Sequence, residues 1–151
     1  MNRQVYNVIL FTSLLGIVGC ELTPQPINYG GDDCDYCRMT IVEEHYGTEI
    51  LTKKGKAFKF DSIECLAAFL IKDQVETDAI HELYFTDFEG AEQLYPLELM
   101  VFVQAKKLKS PMGLNISAYR NPETADNVAL LYFGERLSWE QVNSYVKRSW
   151  F

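Results

Sequence analysis

Residues 57–70, AFKFDSIECLAAFL, contain a strand that passes directly into a helix. The segment 57–60 predicts a β-strand that returns from a hairpin turn at Lys54-Gly55. Asp61 and Ser62 are residue types that cap helices, and the apolar positions that follow recur at helical spacing to about residue 72. We therefore predict that the fold is built from units in which a strand leads directly into a helix.

The same order of elements occurs again later in the chain. Further strands are predicted over 39–42, 48–52, 81–88, 100–103 and 115–119. Asn121 and Pro122 supply an N-cap and a first-turn proline for a helix over 123–131, and Ser138 opens a capping box for a last helix over 138–147. The sequence therefore predicts an α+β fold with two related small lobes of antiparallel strands plus helix, a ββα-type repeat, and a C-terminal helix. The lobes are predicted over about 34–78 and 79–151.

The N-terminus has the features of a secretory signal. Arg3 precedes an apolar run over 8–19, which is too short to span a membrane comfortably and ends at Gly19-Cys20. We predict a signal peptide over 1–19; an uncleaved signal anchor is the alternative. The segment 17–20, IVGC, is similar to a bacterial lipobox, which implies a lipidated Cys20 and a protein held at the membrane on the periplasmic side of the cell envelope.

Composition and charge limit the kinds of binding partner that the protein can have. The chain has 151 residues and a formal net charge of −7, so an acidic surface disfavours nucleic acid. Residues 20–33 contain two prolines and two glycines without periodicity, which predicts a flexible, lipid-anchored tether ahead of a domain over 34–151. The basic run over 53–56, KKGK, predicts a solvated hairpin tip, with partner docking as the alternative.

Three sulfur atoms are close together in the segment 33–39, DCDYCRM. Cys34, Cys37 and Met39 lie within six residues, so two thiolates and a thioether can converge on one ion. Soft sulfur ligands favour Cu(I) over calcium or magnesium. A strand at this position would place Cys37 and Met39 on the same face. The segment therefore predicts a copper site, although Met39 could instead be a core residue.

The spacing of Cys34 and Cys37 leaves three other chemistries open. A thiol-disulfide oxidoreductase or another thiol-dependent enzyme remains an alternative, although its first cysteine usually lies at a helix N-terminus rather than before a strand. A zinc site would need further ligands, and Cys65, His45 and His81 lack paired spacing. A lipid-tethered binding module with a structural disulfide is the third alternative.

Four further residues are weaker candidates for metal binding. Met112 lies in the loop SPMG over 110–113, where proline and glycine can present its side chain at a fixed turn; a packing role is the alternative. Cys65 lies among apolar helix positions and is predicted to be a buried small residue. His45 and His81 are isolated histidines and are predicted to be solvated or in the core.

The order of these motifs resembles that of the nitrous-oxide-reductase accessory lipoproteins, the NosL family. The similarity covers about residues 17–146 and consists of the lipobox, Cys-x-x-Cys-x-Met over 34–39, FDSIEC over 60–65, SPMG over 110–113 and the strand and helix that follow. It implies an α+β fold of two related lobes. It also implies an extracytoplasmic Cu(I)-binding lipoprotein, not an enzyme, that delivers copper for the assembly of nitrous oxide reductase together with a membrane ABC-type maturation complex.

The resemblance also assigns residues to the copper site. By motif position, Cys37, Met39 and Met112 correspond to metal-binding positions of the family, and Cys34 corresponds to the first cysteine of its signature. The signature often has glycine before the methionine, whereas this chain has Arg38. We therefore expect Cys34, Cys37, Met39 and Met112 to hold one Cu(I).

Overall fold

The computed structural model describes residues 22–151, so the predicted signal peptide and the lipidation of Cys20 lie outside the described residues. The strands are β1 (Thr48–Thr52), β2 (Ala57–Phe60), β3 (Ile80–Thr86), β4 (Leu94–Pro96), β5 (Val101–Gln104), β6 (Ile116–Tyr119) and β7 (Glu135–Leu137). The helices are α1 (Ile63–Ile71), α2 (Pro122–Leu131) and α3 (Trp139–Trp150), and single 3₁₀ turns occur at Thr77–Ala79 and Leu97–Leu99. The predicted α+β class is confirmed. Within residues 22–151, every helix falls short of the length and apolar composition that a membrane crossing requires.

The strands form two antiparallel sheets. The first has the order β2-β1-β3-β4 and the second has the order β6-β5-β7. An antiparallel pair followed by a helix occurs twice, as β1-β2-α1 and as β5-β6-α2. The first sheet continues to Pro96, beyond residue 79, where the sequence suggested a division between lobes.

Each helix begins at a residue that the sequence identifies as a cap. The Ser62 hydroxyl accepts a hydrogen bond from the Cys65 backbone N–H at 3.2 Å. The Asn121 side chain accepts from the backbone N–H of Glu123 at 2.9 Å, and Ser138 forms the predicted capping box. Because these side chains satisfy donors that have no partner within the helix, they fix where each helix starts.

The two sheets share one hydrophobic core. Phe85 of the first sheet contacts Phe102 of the second with ring centroids 5.0 Å apart, and Trp139 of α3 packs against both rings. Helix α1 is buried from Ile63 to Phe69, since it packs against α3 as well as the strands. This burial places the first turn of α1 inside the protein.

Two segments near the N-terminus differ from simple expectation. The strand predicted over 39–42 is wrong, because the segment forms an isolated bridge, Thr40 with Asp33, rather than a strand. Residues 22–33, whose composition predicts a tether, lie against the first sheet: Ile27 joins the core and Asp32 forms an ion pair with Lys59 at 2.7 Å. The buried Ile27, the ion pair and the hydrogen bonds from the Gln25 N–H to Glu49 together hold this segment in place, and proline and glycine content does not reveal them. Strands β4 and β7 were not predicted, because a strand of three residues is too short to show a clear alternation of polar and apolar residues.

Candidate metal centre

A tight turn brings the first two cysteines together. The bridge between Asp33 and Thr40 closes the segment 33–40. Inside it, the Cys34 backbone N–H donates to the Met39 carbonyl at 2.8 Å, and the Arg38 N–H donates to the Cys34 carbonyl at 3.0 Å. The thiols of Cys34 and Cys37 are therefore held on one side of a closed loop.

The other half of the site comes from the start of α1. Asp61 precedes the N-cap Ser62, and Cys65 lies in the first helical turn. The ligand atoms of Cys34, Cys37, Asp61 and Cys65 all lie within 4.8 Å of one another. We call these four residues the cysteine–aspartate cluster. Its three cysteines are free thiols.

The cluster is buried but has one accessible edge. Cys34, Asp61 and Cys65 are buried, whereas Cys37 is partly exposed. The Cys37 thiol donates to Asp61 Oδ2 at 3.3 Å, but Asp61 Oδ1 is buried without a hydrogen-bond partner. A buried carboxylate oxygen is costly to leave unpaired, and a bound cation would compensate it. The orphaned oxygen is therefore a feature that fits a cation site.

Electrostatics favour Cys34 as the first of the three thiols to lose its proton. A hydrogen bond from the Cys65 thiol lowers the pKa of Cys34 to about 6 against the opposing effect of burial, with help from the backbone N–H groups of Cys37 and Asp61. Burial raises the pKa of Cys37 to about 12. The hydrogen bond to Cys34, followed by burial, raises the pKa of Cys65 well above its usual range. The cluster therefore loses its first proton most readily from Cys34, and a metal that bound all three sulfurs as thiolates would displace the remaining thiol protons.

The structure adds two residues to the site that sequence reasoning did not place there. Cys65 is buried, as predicted, but its Sγ faces the other two thiols rather than only apolar neighbours. Asp61 was interpreted as a helix cap, yet Ser62 performs that role and leaves the carboxylate for the cluster. A third thiol at the N-terminus of a helix, where the dipole favours anions, is the signal that could have identified Cys65.

The remaining predicted residues lie outside the cysteine–aspartate cluster. The Met39 side chain is 47% exposed, and it follows a turn rather than occupying a strand, so the argument from strand faces does not apply to it. Met112 is half-buried against the main core. His45 is exposed, with Nδ1 2.8 Å from the Phe88 carbonyl oxygen, and His81 is exposed at β3. Ligation by the two methionines stays a prediction.

Comparisons with known proteins identify the family. A model of the NosL family matches residues 26–146. The chain belongs to the NosL family. The predicted resemblance is thereby confirmed. The fold is similar to the crystal structure of the copper chaperone NosL from Shewanella denitrificans, with a TM-score of 0.68 and 22% sequence identity over 80% of this chain and 96% of that chain. A comparison with curated proteins found no match.

The backbone of Arg38, between Cys37 and Met39, has an unusual conformation. Its φ is 66°, in the left-handed region that glycine adopts freely and other residues adopt at a cost of about 1–2 kcal/mol. The chain therefore keeps the turn between Cys37 and Met39 in the conformation that suits glycine, even though the side chain is an arginine.

Proposed function

We propose that this NosL-family protein is an extracytoplasmic Cu(I) carrier, lipid-anchored at Cys20, and not an enzyme. The observation that carries the proposal is the convergence of three free thiols within 4.8 Å of one another, with one thiol partly exposed. Thiolate and thioether sulfurs are the ligands that favour Cu(I). We further propose that it delivers copper for the assembly of nitrous oxide reductase, together with that enzyme's membrane ABC-type maturation complex.

Metal entry begins at Cys34. Its pKa is lowered by the hydrogen bond from Cys65, so it is the thiol of the cluster that ionises most readily and attracts the incoming cation first. Cys37 must then lose its proton, and Asp61 is placed to accept it because the Cys37 thiol already donates to Asp61 Oδ2. Cys65 then closes the site from the first turn of α1 and gives up its proton in exchange for the metal, and this proton leaves to solvent at the edge formed by Cys37.

Release is proposed to occur at the edge formed by Cys37. This is the partly exposed member of the cluster, so a sulfur ligand from a partner can reach the metal there while Cys34 and Cys65 still hold it. Met39 and Met112 are proposed as further ligands. A thioether binds Cu(I) without losing a proton and is a weak ligand for Zn²⁺, which suits a Cu(I) carrier that must release its cargo.

Titration of the reduced full-length protein with Cu(I), in competition with a chromophoric Cu(I) chelator, tests the proposal. We expect one tightly bound Cu(I), and a loss of affinity of about tenfold or more in Cys37→Ser and in Met112→Leu. Met100→Leu is the matched control, because Met100 is also half-buried but belongs to none of the proposed ligand positions. Unchanged affinity in both Cys37→Ser and Met112→Leu would contradict the proposed ligand set.

Zinc is a second candidate metal, because three thiols and a carboxylate are also a zinc donor set. The variant Asp61→Asn separates the two metals. Carboxylate oxygen is a zinc ligand but a poor partner for Cu(I), so the substitution should weaken Zn²⁺ binding much more than Cu(I) binding. A protein that retains Zn²⁺ in the presence of equimolar Cu(I) would support the zinc function instead.

A further inference from the structure

The hairpin between β1 and β2 carries a concentration of positive charge. Lys53, Lys54 and Lys56 are all exposed, and they are three of the 14 basic residues in a chain with a net charge of −7. Gly55 has a φ of 78°, which closes the turn and keeps the lysines together at its tip. The tip is therefore a local basic surface on an acidic protein.

The three lysines border an apolar groove of about 410 Å³. Its walls include Phe58, Val75 and Ala79, and Lys56 Nζ lies 4.1 Å from the centre of the Phe58 ring. Asp78 is the one acidic residue that lines it. We call the three lysines and these apolar walls the lysine groove. Positive charge around an exposed apolar floor is the arrangement that favours a lipid interface.

The described chain also begins at this tip. Leu22 Cδ2 lies 3.8 Å from the position that a Cβ on Gly55 would occupy, and Gln25 Nε2 donates to the Gly55 carbonyl at 3.3 Å. The preceding residues of the sequence contain the apolar run over 8–19 and Cys20. This inference rests on the proposed membrane anchor: whether a lipid on Cys20 or the apolar run is the anchor, it precedes the end of the described chain, which lies beside the lysine groove.

We propose that the lysine groove is a second membrane contact, which binds the anionic headgroup surface and holds the domain with its β1–β2 hairpin toward the bilayer. A basic patch beside a membrane anchor adds electrostatic attraction to anionic lipids and can fix the orientation of the domain. Each lysine near an anionic surface strengthens binding roughly fivefold at moderate ionic strength. None of the residues of the lysine groove belongs to the cysteine–aspartate cluster, so vesicle binding and Cu(I) titration test the two proposals separately.

Lysine footprinting of the full-length protein tests the contact without any substitution. The protein is bound to vesicles of phosphatidylcholine alone or of phosphatidylcholine with phosphatidylglycerol, and acylation of each lysine is followed by mass spectrometry. We expect Lys53, Lys54 and Lys56 to react several-fold more slowly on the anionic vesicles only. The exposed lysines of the loop over 105–109 are the internal control and should react equally on both. Equal reaction rates at the hairpin, or protection confined to that loop, would overturn the proposal.

Two variants with the same change in charge provide the second arm. Lys53→Gln, Lys54→Gln and Lys56→Gln are combined in one protein, and Lys106→Gln, Lys107→Gln and Lys109→Gln in the other. In the hairpin variant, the ratio of the affinity for anionic vesicles to the affinity for zwitterionic vesicles should fall by at least about tenfold. The loop variant should keep the wild-type ratio. An equal loss in both would show that net charge, rather than the lysine groove, governs binding.

Discussion

At the residue scale, Glu49 shows what burial does to an acidic side chain. It lies in β1 and is fully buried, and its carboxylate accepts hydrogen bonds from the Gln25 backbone N–H at 3.0 and 3.2 Å. Burial raises the pKa of Glu49 to about 7, although the Gln25 hydrogen bond and the charge of Lys59 oppose the shift. Burial beneath the segment that contains Gln25 therefore makes the charged form of the Glu49 carboxylate less favourable than it is in water.

The raised pKa predicts that stability falls as pH rises. Between the unfolded value of 4.5 and the folded value of about 7, the native state binds more protons than the unfolded state, so the free energy of unfolding decreases with pH by up to about 3 kcal/mol. Glu49→Gln should abolish this component and be more stable than wild type at about pH 8. Urea denaturation at about pH 5 and about pH 8 measures it, with the exposed Glu98→Gln as control. The same pH dependence in Glu49→Gln and wild type would contradict the assignment.

Single residues also show what sequence can and cannot locate in the site. Cys34 and Cys37 were predictable because their spacing is itself a pattern. Cys65 was not, because a buried thiol suits an apolar helix face, and periodicity does not show which neighbours it meets. Asp61 was hidden by its position beside Ser62, since either residue type can cap a helix. These two contacts depend on how the loop over 33–40 packs against α1.

At the element scale, one buried hydrogen bond joins α1 to the loop over 110–113. The Ser110 hydroxyl donates to Glu64 Oε1 and accepts from the backbone N–H groups of Gly113 and Asn115 at 3.2 and 2.9 Å. Glu64 is fully buried, burial raises its pKa, and its second oxygen has no partner. The bond therefore ties the loop that carries Met112 to the helix that carries Cys65.

Loss of this bond should destabilise the protein. Ser110→Ala leaves Glu64 without a side-chain partner and removes an acceptor for two backbone donors, so we expect the free energy of unfolding to fall by about 2–3 kcal/mol. Urea denaturation provides the measurement. Ser144→Ala is the matched control, because Ser144 is exposed on α3 and should change stability by less than about 0.5 kcal/mol. Similar effects of the two substitutions would show that the bond does not hold the loop.

The start of a helix is predictable from the sequence where the element has both a cap residue and a periodic apolar face. Helices α1, α2 and α3 begin at Ser62, Asn121 and Ser138, as predicted from the cap residues. The segment over 39–42 has strand-forming residues but forms only a bridge, because the turn before it is occupied by the cysteine pair and the left-handed Arg38. Local composition predicts a strand only when a partner strand is available, and pairing is set by the rest of the fold.

At the scale of the whole molecule, the two sheets are joined rather than separate. Phe85 belongs to β3 and Phe102 to β5, and their rings meet edge to face while Trp139 contacts both. The main core cluster includes residues of both sheets as well as α1 and α3. The repeated ββα pattern therefore describes the order of elements along the chain, but the main core cluster is shared by both sheets, and a smaller one lies between α2 and the second sheet.

A shared core predicts that both sheets unfold together. Phe102→Ala removes a ring that is almost fully buried, so we expect a loss of about 3–5 kcal/mol in the free energy of unfolding. Native-state hydrogen exchange should show the same loss for the protected amides of β1 and β3 as for those of β5 and β6, because opening either sheet exposes the contact between Phe85 and Phe102. Phe133→Ala is the control, since that ring is 88% exposed and its removal should leave exchange unchanged. Faster exchange confined to β5 and β6 would instead show two independently stable lobes. In that case the metal cluster would remain intact while the second sheet opened, because the cluster is built from the loop over 33–40 and α1.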